Sequence, residues 1–209
     1  MKKICLLLGT ALLMIVLGAC SEEKKDSVAK GVDTKYVGTY TLRSMGQATG
    51  NQMDTYQQVP LSEDLAYAEK IQLKKNGEYV NTIQFYDDQT TDKMYQEIIQ
   101  RDRYKNDGKK VIMTDSTKDN HYAIKAYKNS DGSLLMNYDG LKQLQDNGAT
   151  LTNATAQYDE YDVTAWYDKN NTAQKLTQKI FFTEEGHLVN VTYSKTDNTT
   201  SVLIYESEA

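Results

Sequence analysis

The sequence predicts a mainly β protein, an antiparallel meander that closes into a barrel and carries one or two short helices. The chain has 16 tyrosines, and tyrosine favours strands. From Tyr36 onward, apolar and polar residues alternate in short runs, as in half-buried strands. Turn-forming residues separate about ten such runs, which is typical of a meander. Closure would remove both sheet edges, and a β-sandwich is the alternative.

The first 19 residues predict a secretory signal peptide. Two lysines open the chain, the uncharged run 4–16 follows, and Gly18 and Ala19 stand before Cys20. A basic start, an apolar stretch and small residues at a cleavage site define such a signal. The sequence Leu-Gly-Ala-Cys resembles the lipobox of bacterial lipoproteins. The resemblance implies that Cys20 receives a diacylglycerol and becomes the first residue of the mature chain.

Lipidation at Cys20 would place the protein at the extracytoplasmic face of the cell membrane, held there by its acyl chains. Cys5 is the other cysteine and leaves with the signal, so the mature chain has no internal disulfide. The formal charge of −5 becomes more negative once Lys2 and Lys3 are removed. An acidic surface argues against nucleic acid as a partner and against electrostatic binding to anionic lipid. The expected membrane contact is therefore the lipid on Cys20.

The remaining chain divides into a tether and one domain. Residues 20–35 comprise the lipidated cysteine and a polar stretch without hydrophobic periodicity, which predicts a flexible tether. Residues 36–209 are of a length common for one domain, and they predict a single β domain.

Strands and hairpins follow in order along this domain. In the first predicted strand, Tyr36, Gly38, Tyr40 and Leu42 share one face. The predicted hairpins share turns that contain Gly, Asn or Asp. They are Lys70–Lys74 with Glu78–Tyr86 around Lys75-Asn76-Gly77, His121–Tyr127 with Leu134–Tyr138 around Asn129–Gly132, Gln157–Tyr167 with Leu176–Phe182 around Asp168–Asn171, Phe182 and His187 around Thr183–Gly186, and Leu188–Ser194 with Ser201–Tyr205 around Lys195–Asn198. Lys109–Met113 predicts one further strand.

Two segments predict helices instead. In Thr91–Tyr104, the apolar residues at 94, 95, 98 and 99 are near helical spacing. Ser62–Lys70 follows Pro60 and has acidic residues in its first turn, which favours a short helix.

Two motifs of the domain resemble a known family. The Tyr36–Leu42 segment, YVGTYTL, resembles the first strand of the lipocalin-like (calycin-type) superfamily, where a Gly-x-Trp or Gly-x-Tyr motif begins the barrel. Gly38 and Tyr40 match that motif. Lys74–Tyr79 resembles the Asn-Gly-x-Tyr hairpins of lipocalin-like bacterial lipoproteins. The resemblance implies an interior cavity for a small apolar ligand and a buried Tyr40.

The polar residues give little sign of catalysis. His121 and His187 stand alone among strand residues, without the three or four ligands that a metal site needs. The carboxylates of Asp159, Glu160 and Asp162 could hold Ca²⁺ or act as an acid/base pair, but a strand sends the first one to the opposite face from the other two. The chain has neither a Gly-x-Ser-x-Gly elbow nor a glycine-rich phosphate loop. We therefore expect no enzyme, no metal and no cofactor.

Aromatic residues concentrate in the last four predicted strands, where they either pack the core or line a binding surface. They are Trp166, Tyr167, Phe181, Phe182, Tyr193 and Tyr205. The sequence thus predicts a lipid-anchored protein that binds a small apolar ligand in its barrel. The alternative is an interaction or immunity-type lipoprotein without a cavity, which captures a peptide or an envelope protein.

Overall fold

The computed structural model describes residues 27–53, 59–60, 66–87, 90–114, 121–146, 148–163 and 176–208. The predicted signal peptide, Cys20 and the start of the tether lie outside this part. Within it the chain forms twelve strands and one α-helix. The strands are β1 Gly38–Thr49, β2 Val59–Pro60, β3 Tyr67–Leu73, β4 Glu78–Asp87, β5 Thr90–Asp107, β6 Lys110–Met113, β7 His121–Tyr127, β8 Thr150–Ala154, β9 Tyr158–Asp162, β10 Leu176–Phe182, β11 Leu188–Ser194 and β12 Thr199–Ser207, and the helix α1 is Tyr138–Asp146.

Eight of these strands close into an antiparallel barrel. Their order is β4, β3, β1, β12, β11, β10, β6 and β5, and β5 pairs with β4 to complete the circle. The predicted mainly β, antiparallel barrel is therefore confirmed, and the alternative of a sandwich is not observed.

The long strand β5 also carries a three-stranded extension. Residues 104–107 of β5 pair with the barrel strand β6, whereas residues 96–101 of β5 pair with β7, the first strand of the extension. From β7 the sheet continues through β9 to β8. A small second core lies here, in which Leu144 of α1 is buried with Ile124 and Tyr161.

The first strand lies in the predicted register. Tyr40 and Leu42 are buried in the barrel core, as alternation along β1 requires. The Tyr40 hydroxyl donates a hydrogen bond of 2.8 Å to the carbonyl of Tyr36. The ring of Phe182 stacks on that of Tyr36 at 4.1 Å and is tilted against that of Tyr40 at 5.4 Å. The prediction that Tyr40 points inward is confirmed.

Four predicted turns are also present, and one of them, Asn129–Gly132, follows β7 and is closed by a hydrogen bond of 3.0 Å from the Gly132 N–H to the Asn129 carbonyl. The Asn76-Gly77 turn joins β3 to β4, and Gly77 has a φ of 79°, in the left-handed region that favours glycine. Thr183–Gly186 joins β10 to β11, and Lys195–Asn198 joins β11 to β12.

The helix predicted over Thr91–Tyr104 is wrong, because this segment belongs to β5. The strand pairs along both of its edges, with β4 on one side and with β6 and β7 on the other. Apolar side chains are needed on both of its faces, and Ile98 packs against the second core. A strand with apolar residues on both faces imitates helical spacing over a short window.

The helix predicted over Ser62–Lys70 is wrong from Tyr67 onward, where β3 begins, while residues 62–65 lie outside the described part. Pairing of β3 with both β1 and β4 fixes the extended conformation there.

The strand predicted over Leu134–Tyr138 is also wrong. It makes one isolated bridge, from Leu134 to Lys128, and α1 then begins at Tyr138. The Oδ1 of Asn137 accepts a hydrogen bond of 2.7 Å from the backbone N–H of Gly140, which is the arrangement of a helix N-cap.

Within the described residues, the strands predicted over Gln157–Tyr167 and Leu176–Phe182 do not pair with each other. Strand β9 pairs with β7 and β8, whereas β10 pairs with β6 and β11. The predicted turn Asp168–Asn171 lies outside the described residues.

The last part of the predicted tether, from Ala29 onward, forms hydrogen bonds and apolar contacts with the barrel. The backbone N–H of Ala29 donates to the carbonyl of Lys75 at 2.8 Å, and that of Asn106 donates to the carbonyl of Gly31 at 2.7 Å. Val32 packs against the barrel core, and a short 3₁₀ helix follows at Thr34–Tyr36. Residues from Ala29 onward therefore contact the barrel.

Candidate functional site

A cavity of about 680 Å³ lies between the β4–β5 and β10–β11 pairs of the barrel. Its apolar lining comes from the barrel strands β4, β6 and β10 and from β7. These side chains are Tyr79, Val111, Met113, Tyr122, Leu176 and Ile180. All four residues of strand β6 line the cavity.

The cavity reaches the seam between β6 and β10. The two strands pair only through Ile180 with Val111 and through Phe181 with Lys110. The exposed side chains of Lys110 and Lys179 also line the cavity. Because alternation places these lysines on the outer face of the barrel, the cavity extends through the seam towards the surface.

The first polar wall, called here the β4–β5 wall, consists of Asn81, Gln100 and Asp102. Strand register places Asn81 opposite Gln100, and Tyr79 opposite Asp102. Opposite residues of an antiparallel pair have Cβ atoms about 4.5–5.5 Å apart. Asn81 is 7% exposed and Asp102 is 8% exposed, so this wall places polar groups in a nearly dry environment.

The second polar wall, the β10–β11 wall, consists of Gln178, Asn190 and Thr192. Register places Gln178 opposite Thr192. The Oδ1 of Asn190 accepts hydrogen bonds from Gln178 Nε2 at 3.1 Å and from Thr192 Oγ1 at 3.4 Å. The three neutral side chains thus form one connected set.

A buried carboxyl group lies behind Asn81. Glu69 is only 2% exposed. Its Oε1 accepts hydrogen bonds of 2.7 Å from both Asn81 Nδ2 and the Tyr205 hydroxyl, and its Oε2 accepts one from the Tyr67 hydroxyl. Such donors offset the cost of burying a carboxylate.

The tyrosines of the barrel resist deprotonation. Burial, and next the charge of Glu69, raise the pKa of Tyr205 well above its ordinary value, and the same two causes raise the pKa of Tyr67. Burial raises the pKa of Tyr104 from 10.0 to about 12, with a contribution from Tyr40.

We expect the free energy of unfolding to fall as the pH rises above about 10. The unfolded chain loses its tyrosine protons near pH 10, whereas the folded chain keeps them until its raised pKa values are reached. The stability that these groups contribute is thus fully present below pH 10, and for Tyr104 it is lost between pH 10 and about 12. Urea denaturation at closely spaced pH values from 8 to about 12 measures the decline.

Tyr104→Phe should make this decline shallower, because it removes one of the titrating groups. The matched control is Tyr138→Phe, since Tyr138 is 78% exposed on α1. An equal slope in the Tyr104 variant and the wild-type chain would contradict the prediction.

The residues that the sequence singled out for chemistry lie elsewhere. Glu160 and its neighbours are on β9, where Asp159 forms an ion pair of 2.6 Å with Lys128. His121 begins β7, and His187 precedes β11. Among the residues that the structure describes, no group of three or more His, Cys, Asp or Glu could hold a metal ion.

The aromatic residues of the last four predicted strands lie in several parts of the structure. Phe182 and Tyr205 are buried in the barrel core, Tyr193 packs against a cluster that includes Val191, and Phe181 lines the cavity at the seam. Trp166 and Tyr167 lie outside the described residues. The cavity aromatics Tyr79 and Tyr122 were missed. Tyr79 is the tyrosine of the Asn-Gly-x-Tyr hairpin, and alternation along β4 places it on the same face as Asn81.

The fold and the cavity define a closed eight-stranded antiparallel β-barrel that is compatible with a lipocalin-like barrel. The chain matches no protein-family model, no curated protein and no solved structure. None of the helices in the described ranges has the length and apolar character needed to cross a membrane.

Proposed function

We propose that this chain is a membrane-anchored extracytoplasmic lipoprotein that binds a small ligand with a largely apolar body, and that it acts as a binding protein and not as an enzyme. The cavity of about 680 Å³ is the observation that carries the proposal. Small-molecule sites commonly measure about 300–1,000 Å³ and combine an apolar lining with a few polar groups.

The lining suits a ligand of this kind. Val111 and Ile180 are buried on the cavity side of the seam, and Tyr122 contributes an aromatic ring from β7. Contact with these side chains would remove apolar ligand surface from water. The β4–β5 and β10–β11 walls would then fix the orientation of the ligand through hydrogen bonds.

The anchor would hold the barrel near the membrane. The signal peptide and lipobox-like sequence before Cys20 support lipidation at that residue. Ala29 is already hydrogen-bonded to the barrel. Ala29 is nine positions after Cys20, and an extended chain spans at most about 3.6 Å per residue, so the link reaches about 30 Å. An amphipathic ligand could thus enter the cavity close to the membrane surface.

The alternative function, capture of a peptide or an envelope protein, is favoured by one observation. Every residue of β8 is exposed, including the 52% exposed Leu151. In the described ranges β8 pairs only with β9, so it forms an edge of the sheet. An extended peptide can add to such an edge as a further strand.

Substitution of Thr192 by Trp tests the cavity proposal. Thr192 lines the cavity, so the indole group should fill it and exclude a ligand. Native mass spectrometry of the wild-type protein, extracted from the cell envelope, should show a bound small molecule, and Thr192→Trp should lose it.

Thr177→Trp is the matched control, because Thr177 is an exposed residue of the neighbouring strand β10 and does not line the cavity. This variant should keep the bound molecule. A wild-type protein without any adduct, or an adduct retained in Thr192→Trp, would refute binding in the cavity.

A further inference from the structure

We infer that the cavity recognises a ligand that carries a protonated amine, which is bound at Asn81 and Asp102 of the β4–β5 wall. This inference rests on the proposed binding function and names the class of ligand. The argument depends on the orientation of the Asn81 amide and on the charge of the surrounding groups.

Glu69 fixes the orientation of the Asn81 amide. The Glu69 carboxyl accepts hydrogen bonds from Tyr205 and Tyr67, so the group that Asn81 presents to it must be the donor Nδ2. The opposite orientation would bring two acceptor oxygens together. The Oδ1 of Asn81 is therefore turned away from Glu69 and is available only as an acceptor.

The Oδ1 of Asn81 is buried and accepts no hydrogen bond from any described residue. Buried polar atoms in proteins are almost always paired, because leaving one unpaired costs free energy. Asn81 is more than nine-tenths buried and lines the cavity. A ligand in the cavity that brings an N–H or O–H group to this oxygen would supply the partner.

The charge of the wall selects a cation among such donors. Asp102 is the diagonal neighbour of Asn81 on the same wall, two residues along β5 from Gln100, which lies opposite Asn81. Glu69 is hydrogen-bonded to the amide nitrogen of Asn81. Arg101 and Arg103 alternate with the inward residues of β5, and they bind Glu78 and the carbonyl of Asn76 on the exposed side. The lysines of the lining, Lys110 and Lys179, have exposed side chains at the seam.

A ligand ammonium thus meets carboxyl and carbonyl oxygens at the β4–β5 wall. A ligand carboxylate would meet the same oxygens and be repelled. A hydroxyl group would form only a neutral hydrogen bond, which is about half as strong as a charge-assisted one. The β10–β11 wall is neutral, so the discrimination of charge arises at Asn81 and Asp102.

Three indole probes with different head groups test the inference. Tryptamine carries an ammonium, tryptophol a hydroxyl and indole-3-propionate a carboxylate, while the apolar body is the same. Binding is measured by ligand-observed NMR with the full chain in zwitterionic nanodiscs, and the signal from empty nanodiscs is subtracted. We expect tryptamine to bind at least about tenfold more tightly than tryptophol, and indole-3-propionate to bind most weakly.

Two variants locate the preference. Asn81→Leu removes the acceptor, and Asp102→Asn removes the charge but keeps the shape of the side chain. Each should bring the Kd of tryptamine to within about threefold of the Kd of tryptophol measured with the same variant. Thr177→Leu is the control, because Thr177 is exposed and does not line the cavity, and it should keep the preference. Asn81→Leu also removes a hydrogen-bond donor to Glu69. If Asn81→Leu fails to fold for this reason, Asp102→Asn alone provides the test.

The outcomes separate the inference from the function on which it rests. Equal binding of the three probes, or a preference that survives in both variants, would overturn the ammonium site and leave the binding cavity intact. If no probe binds the wild-type chain, or if Thr192→Trp binds all three unchanged, the cavity function fails and the ammonium site fails with it.

Discussion

Tyr40→Ala is expected to lower the free energy of unfolding by about 3–5 kcal/mol, whereas Thr39→Ala should lower it by less than about 1 kcal/mol. Tyr40 is 4% exposed, packs against Phe182 and donates a buried hydrogen bond to Tyr36. Thr39 is half-buried on the other face of β1. A typical domain is stable by only about 5–15 kcal/mol, so the loss at Tyr40 would be a large part of the total.

Urea denaturation of the full chain measures both variants. Tyr40→Phe serves as a further control, because it keeps the ring and removes only the hydrogen bond, which should cost about 1 kcal/mol. Equal losses in the two alanine variants, or a larger loss at Thr39, would show that the register of β1 is wrong.

Cys20→Ala is expected to abolish lipid anchoring completely. Alanine has no thiol to accept the diacylglycerol, so the variant should be released from the membrane or accumulate as the unprocessed precursor. Cell fractionation together with labelling by a radioactive fatty acid measures both outcomes. Two acyl chains give stable anchoring, since each buried methylene contributes about 0.8 kcal/mol.

Cys5→Ala is the matched control, because Cys5 lies in the apolar part of the predicted signal. This variant should be processed, labelled and anchored as the wild-type protein is. A Cys20 variant that is cut at the same site and remains in the membrane fraction would refute the lipoprotein assignment.

The features that the sequence predicted correctly depend on neighbours along the chain. Alternation alone places Tyr40 and Leu42 on the buried face of β1. The Asn76-Gly77 turn was predicted because glycine readily adopts a positive φ. The antiparallel class of the fold followed from the succession of short strands and turns.

The features that the sequence did not predict depend on distant partners. The segment that contains Ile98 has near-helical spacing, but pairing with β4 and β7 on its two edges holds it in β5. The helix α1 replaced a predicted strand, although the capping residue Asn137 offered a local signal.

The polar walls of the cavity were not predicted at all. Asn81, Asp102 and Asn190 occur in strands without any motif around them, and single polar residues in strands usually face solvent.

By itself, then, the sequence predicted an anchor at Cys20, and it determined the β class and the inward face of the first strand, because these depend on short stretches of chain. Only the tertiary structure decided the cavity and its chemistry. Tyr205 and Glu69 are 136 positions apart and meet across the barrel. The acceptor of Asn81 is oriented by that same carboxyl group. The β6–β10 seam beside the cavity pairs Val111 with Ile180, and no local pattern encodes a pairing between strands so far apart in the chain.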